Sequence, residues 1–149
     1  MQYYLAPMQS LTGYVFRNAY NKHLHNIDKY FTPFLSDRRL NHKEKCEVLP
    51  EHNQGMQVIP QIMANDTEVF LEIVKQLEQY GYNEVNLNLG CPSGTVVPKK
   101  RGAGLLSDLT LLDNFLDSIY SKCPIPISIK TRIGMENPEE WGAIQAIYS

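Results

Sequence analysis

A parallel α/β sheet is the fold class this sequence predicts, and three observations carry it. Short apolar runs alternate along the chain with stretches of helical periodicity. The stretch 84–90 alternates faces, with Val85, Leu87 and Leu89 opposed to Asn86 and Asn88. It lies between two helical patterns, so both faces need cover, as in a parallel sheet. Polar and reactive residues gather where strands end, at Gly90-Cys91-Pro92 and at Lys130 and Arg132. Ligands of α/β proteins bind at those C-terminal ends. Periodicity alone leaves two architectures open, a doubly wound sheet and part of a (β/α)8 barrel. A full barrel takes about 250 residues, and a chain of this length holds about five βα units.

The elements follow in order. Residues 3–8 read as a short buried strand ending at Pro7. Ser10 and Thr12 offer caps for a helix with Val15, Phe16, Ala19 and Tyr20 on one face. Residues 29–35 form a second apolar run, and 36–55 a long polar connection carrying Arg38, Arg39, Lys43 and Lys45. Residues 57–62 make a third strand. Asn65 and Glu68 fit a capping box opening a helix with Val69, Phe70, Ile73, Val74, Leu77 and Tyr80 at helical spacing, closed by Gly81. After the fourth strand at 84–90, Asp108 caps a helix with Leu109, Leu112, Leu116 and Ile119 as its buried stripe. Residues 126–132 are the fifth strand. Asn137-Pro138 opens a last helix, with Glu139 and Glu140 suited to its dipole.

With 149 residues, 43% hydrophobic and 20% charged, the chain suits one soluble globular domain rather than a disordered one. A net charge of -2 excludes a globally basic field, so a nucleic-acid partner has to be held by a local patch. Cys46, Cys91 and Cys123 are odd in number and lack Cys-x-x-Cys spacing, which argues against a disulfide framework and a zinc site. No metal is expected. The first strand follows Met1 directly, leaving no room for a signal peptide, and no apolar run reaches membrane-spanning length. A cytoplasmic protein with no membrane partner is the expectation.

Two strands share an oddity. Asn86 and Asn88 stand on one face of the fourth; Ser128, Lys130 and Arg132 stand on one face of the fifth. Gln61 sits near the end of the third. If these strands are neighbours, Gln61, Asn86, Asn88, Lys130 and Arg132 converge on a polar cavity of donors able to read a planar, carbonyl-rich ring. The lysine would stabilise an anion formed on such a ring. The alternative is a solvated strand end, disfavoured because the polar row recurs on adjacent strands. Cys91 is either a small buried hydrophobe or, at a strand end ahead of a basic loop, a proton donor or nucleophile. Cys46 and Cys123 read as structural. Gly102-Ala103-Gly104 is a flexible turn or a ligand lid and matches no dinucleotide or phosphate-loop fingerprint. Lys99, Lys100 and Arg101 are a solvated run, or a phosphate contact beside a site mouth. His23, His25, His42 and His52 read as surface residues.

Taken together, Ala6-Pro7-Met8, Thr12, Phe16-Arg17, Gln61, the run from Asn86 to Pro92, Gly102-Ala103-Gly104-Leu105-Leu106 and Lys130-Thr131-Arg132-Ile133-Gly134 resemble the tRNA-dihydrouridine synthases in order and spacing. The resemblance covers the whole chain. It implies a TIM-type (β/α)8 barrel binding FMN, reduced by NADPH, with hydride passed to C6 of a flipped-out tRNA uridine and a proton to C5. It implies that residues 1–149 are the N-terminal part of a single FMN-binding barrel domain. The remaining barrel strands and a helical tRNA-binding domain would then lie beyond Ser149. By position, Cys91 would be the proton donor. Pro7, Met8 and Gln9 would lie against the flavin, and Gln61 and Lys130 would bond its polar edge. Asn88 would face flavin or uracil, Arg132 the substrate, and Lys99, Lys100 and Arg101 RNA phosphate. Two other readings remain. One is an FMN barrel acting on free pyrimidines, like dihydroorotate dehydrogenase; the other is a catalytically incomplete half-barrel, whose open strand edges invite self-association.

Overall fold

Every strand pairing among the described residues is parallel. The computed structural model describes residues 1–133. In chain order they form β1 (Tyr4–Leu5), α1 (Tyr14–Leu24), β2 (Lys29–Phe31), α2 (His42–Val48), β3 (Val58–Ile59), β4 (Gln61–Ile62), α3 (Thr67–Gln79), β5 (Val85–Asn88), α4 (Leu109–Lys122) and β6 (Ile127–Lys130). The strands lie in two sheets, β1-β2-β3 and β4-β5-β6. Pro60 separates β3 from β4 because it brings no N–H to the ladder. The Thr32 side chain bridges the break by accepting the Gln61 N–H at 3.0 Å, and Leu35, beyond β2, bridges to Ile62. Neighbours in space are therefore neighbours in sequence. This sequential order within each three-stranded sheet is consistent with part of a barrel wall. With β3 and β4 counted as one strand interrupted at Pro60, four strand-to-helix units and one further strand, β6, are described. The helix expected at Asn137-Pro138 lies outside the described residues.

The core forms where α3 and α4 pack on one face of β4-β5-β6. Phe70, Ile73, Val74 and Leu77 meet Leu112, Phe115, Leu116 and Ile119 over Val85, Leu87 and Leu89. Phe70 and Phe115 touch edge to face at 6.2 Å. Each such side chain contributes about 1.5–3 kcal/mol on burial. Phe115 belongs to the buried stripe of α4, whereas Leu109, expected there, is 47% exposed at the first turn. Asp108 caps that helix as expected, accepting the Leu111 N–H at 3.1 Å. The cap of α3 is Asp66 rather than Asn65; its carboxylate accepts the Val69 N–H, and Asn65 instead turns toward the later loop. Gly81 follows α3 at a φ of +87°, a conformation glycine adopts without strain.

The N-terminal third departs most from expectation. The first strand is two residues long and sits at a sheet edge, with Tyr3 and Tyr4 exposed rather than buried. On α1, Val15 and Ala19 face solvent, and the one buried residue is Arg17. Neither Ser10 nor Thr12 caps this helix. Gly13 is the cap residue, and the Glu47 carboxylate accepts the Tyr14 N–H at 2.8 Å. The connection 36–55 contains α2, opened by a capping box in which Asn41 and Glu44 bond each other's backbone. His52 is half-buried rather than on the surface, stacked on Tyr14 at 4.2 Å with its Nδ1–H donating to the Cys46 carbonyl.

Tyr82 ties this region to the core, its hydroxyl donating to the Val48 carbonyl at 2.9 Å. Burial pushes its pKa up to about 12, against the opposing pull of the Arg17 charge and an Asn53 hydrogen bond. An unfolded tyrosine ionises near pH 10, so the stability this group provides is whole below about pH 10 and is lost as pH rises toward 12. Urea midpoints across that window should fall more steeply for the wild type than for Tyr82→Phe; parallel slopes would remove Tyr82 from the alkaline transition.

Candidate active site

The register of the second sheet sets Gln61 beside Asn86, Asn86 beside Ser128, and Asn88 beside Lys130. All point away from the helix-covered face, because successive residues of a strand alternate sides. Gln61, Asn86 and Asn88 are buried. Their amides satisfy one another. Asn88 Nδ2 donates to Gln61 Oε1 at 2.7 Å, Gln61 Nε2 to Asn86 Oδ1 at 2.7 Å, and Asn86 Nδ2 to Ser128 Oγ at 3.1 Å. This network removes the desolvation cost that two asparagines on a buried strand would otherwise carry. Each NH2 group has a second N–H beyond the one used here, so the row can still donate to a ligand.

Cys91 stands at the head of this row. Asn88 Oδ1 accepts the N–H groups of Gly90 and Cys91 at 3.1 and 3.0 Å, a turn built by the asparagine side chain. The Cys91 carbonyl accepts the Ala103 N–H at 3.0 Å. The thiol residue is thus fixed from both sides, and it is half-buried. The glycine-rich segment is a packed 3-10 turn, Gly102–Ser107, with Gly102, Ala103 and Gly104 buried rather than loose. Gly102 has φ +54°, and a Cβ there would come within 2.9 Å of the Cys91 carbonyl oxygen. A Cβ on Gly104 would collide with the Val97 carbonyl. The two glycines allow the turn to close on Cys91.

A cavity of about 370 Å³, within the range of roughly 300–1,000 Å³ usual for small-molecule sites, opens on the same sheet face. Pro7, Phe31, Asn86, Ser128 and Lys130 are among its walls. Lys130 is exposed, with its charge available to a ligand. Met8 is 59% exposed on the loop after β1. Gln9 lines a different cavity of about 420 Å³, between α1, α2 and the segment after β2. Arg132 is half-buried just past β6. The basic run is partly engaged: Lys100 pairs with Asp108 at 2.6 Å and Arg101 Nε donates to Asn65, while Lys99 stands exposed. The structure therefore joins Gln61, Asn86, Asn88, Lys130, Pro7 and Cys91 and leaves Gln9 and the basic run apart.

Two polar pairs went unseen in the sequence. Lys29 Nζ meets Glu84 Oε2 at 2.7 Å on the floor of the cavity, where Glu84 Oε1 also accepts from Ser128. Arg17, fully buried, meets Glu47 at 2.9 Å. Each joins residues 30 or more positions apart, so no local spacing betrays it. Among the described residues no cluster of three or more histidine, cysteine, aspartate or glutamate side chains is placed to hold a metal, and no helix is long and apolar enough to cross a membrane.

Comparison with known proteins shows the family. The chain is 30% identical over 123 residues to a "tRNA-dihydrouridine(20/20a) synthase" of Yersinia pestis, covering 76% of this chain and 36% of that protein. It is 29% identical over 143 residues to a "Probable tRNA-dihydrouridine synthase" of Staphylococcus aureus, covering 92% of this chain and 42% of the other. A Staphylococcus epidermidis protein of the same name is also 29% identical, over 142 residues. The chain thus spans less than half the length of the curated relatives it matches. The family model described as Dihydrouridine synthase (Dus) matches residues 4–147, nearly the whole chain, and the chain belongs to that family.

Proposed function

We propose that this chain carries the N-terminal, thiol-bearing part of a flavin-dependent enzyme that reduces uridine in tRNA to 5,6-dihydrouridine at the expense of NADPH. One observation carries the reading. A buried row of amides leads from a cavity edged by a lysine to a cysteine fixed at the end of β5. In the family reading the consecutive strands are one wall of a (β/α)8 barrel, and the residues stand at its C-terminal mouth.

The donor set fits FMN. Lys130 and the spare N–H groups of Asn86 and Gln61 offer hydrogen bonds and positive charge to a flat ring edged with carbonyl oxygens. Bound there, FMN would supply the two-electron chemistry between NADPH and the base. Lys130 would hold negative charge on that ring. Pro7, on the cavity wall, would present backbone and an apolar ring to it. Asn88 and Cys91 would stand over the base once it is turned out of the RNA stack, and the Cys91 Sγ–H would deliver its proton to C5. Lys99, exposed beside the mouth, would meet RNA phosphate. Family membership and the Asn-Leu-Gly-Cys-Pro run favour tRNA over a free pyrimidine.

The test is a titration with FMN of a full-length enzyme that carries this chain as its N-terminal part, followed by incubation with tRNA and NADPH and nucleoside mass spectrometry for dihydrouridine. Bound flavin and new dihydrouridine are expected. Reduction of free uracil or orotate but not of tRNA would overturn the substrate reading. Lys130→Met should weaken FMN binding about 10- to 100-fold, the loss of one charged hydrogen bond. An unchanged dissociation constant would take Lys130 out of the flavin site.

A further inference from the structure

The hydrogen bonds of the amide row all run one way. The N–H groups of Gly90 and Cys91 donate to Asn88, Asn88 donates to Gln61, Gln61 to Asn86, and Asn86 to Ser128. The Ser128 hydroxyl donates in turn toward the Val85 carbonyl at 3.3 Å and Glu84 Oε1 at 3.4 Å. Backbone N–H groups can only donate, and a carbonyl or ionised carboxylate can only accept. The two ends therefore allow each amide between them a single orientation. A chain of this kind is cooperative, since each bond polarises the next. It begins just past the end of β5, at Cys91, ends at Val85 at the start of that strand, and crosses to β4 and β6 in between.

We infer that Ser128 is a positioning residue for Cys91, acting through Asn86, Gln61 and Asn88. Ser128 carries the one side-chain hydroxyl in this hydrogen-bonded row and passes the direction of donation from the amides to the acceptors at the floor. Lys29 holds the other oxygen of Glu84 at 2.7 Å and keeps that acceptor in place. Without the hydroxyl, Asn86 Nδ2 loses its acceptor. Asn86 can recover a partner only by turning, which withdraws Oδ1 from Gln61. That loosens the amide of Asn88, whose oxygen fixes the Cys91 backbone. A serine on β6 thereby governs a thiol that it does not touch. This inference rests on Cys91 being the working thiol of the proposed site.

The test needs neither flavin nor tRNA, so its outcome is separate from that of the uridine reading. Iodoacetamide alkylation of the folded chain is followed at each cysteine by mass spectrometry, with Cys46 and Cys123, both half-buried, as internal controls. Ser128→Ala should raise the rate at Cys91 about two- to tenfold, the range one lost hydrogen bond supports, and leave the other two unchanged. Ser128→Thr, which keeps the hydroxyl, should restore the wild-type rate. An unchanged or slower rate at Cys91 in Ser128→Ala, an equal rise at all three cysteines, or failure of threonine to rescue overturns the inference.

Discussion

Cys91→Ala should lower uridine reduction about 10²–10⁴-fold, the usual contribution of a positioned proton donor, while FMN stays bound and reducible by NADPH. The separation of effects follows from how the residue is held. Both of its backbone hydrogen bonds, to Asn88 Oδ1 and from Ala103 N–H, survive the substitution. Alanine keeps the Cβ that packs beside Gly102. The turn therefore keeps its shape and only the proton is lost. Single-turnover reduction of tRNA by the pre-reduced flavoprotein would read the proton transfer, and the flavin absorbance before tRNA addition would read the rest of the site. Full turnover in the variant would remove Cys91 from the chemistry and leave it a packing residue.

Local pattern made one part of this molecule readable. On β5, period-two alternation separates Leu87, in the core, from Asn86 and Asn88, in the row, and the helix stripes around Phe70 and Leu112 follow from 3.6-residue spacing. The pairing of Gln61 with Asn86 followed from parallel strands in consecutive order. The same logic failed wherever a long-range ion pair decided orientation. Apolar spacing on α1 pointed Val15 inward, but the helix is turned by a guanidinium that the spacing does not register. In α2 only Val48 is buried, so apolar periodicity gives no signal there, although Asn41 and Glu44 carry a capping box that would have found its start. The Lys29–Glu84 floor joins residues 55 apart. Its existence depends on how the starts of β2 and β5 are placed in space, which a linear pattern does not encode.

The largest stability effect is expected at the other long-range pair. Glu47→Leu should destabilise the fold by about 3–5 kcal/mol, because it leaves the Arg17 charge buried without its counter-ion. Arg17 has no exposed side-chain surface, and Glu47 is 13% exposed. Burial lowers the pKa of the guanidinium, and Glu47 opposes that shift. The remaining bonds of Arg17 go to the carbonyls of Thr12 and Glu47 and to Asn53 Oδ1, neutral acceptors that do not replace a carboxylate, and its Nε has no hydrogen-bond partner among the described residues. Glu47 also satisfies the first turn of α1, worth about 1 kcal/mol more. Against a total of about 5–15 kcal/mol, such a loss is severe. Urea unfolding of Glu47→Leu, Arg17→Met and the double variant measures it. The double variant should recover much of the loss, since an apolar pair removes both buried charges. A single-variant loss below about 1 kcal/mol would mean that the pair behaves as a solvated surface bridge. The double variant also separates fold from site. Arg17 Nη1 donates to the Thr12 carbonyl, and the Thr12 hydroxyl exchanges hydrogen bonds with Met8 N–H and C=O at 2.8 and 3.2 Å. A protein with restored stability and weakened FMN affinity would place the purpose of the buried arginine in the loop carrying Pro7 and Met8; intact affinity would confine it to holding α1 against α2.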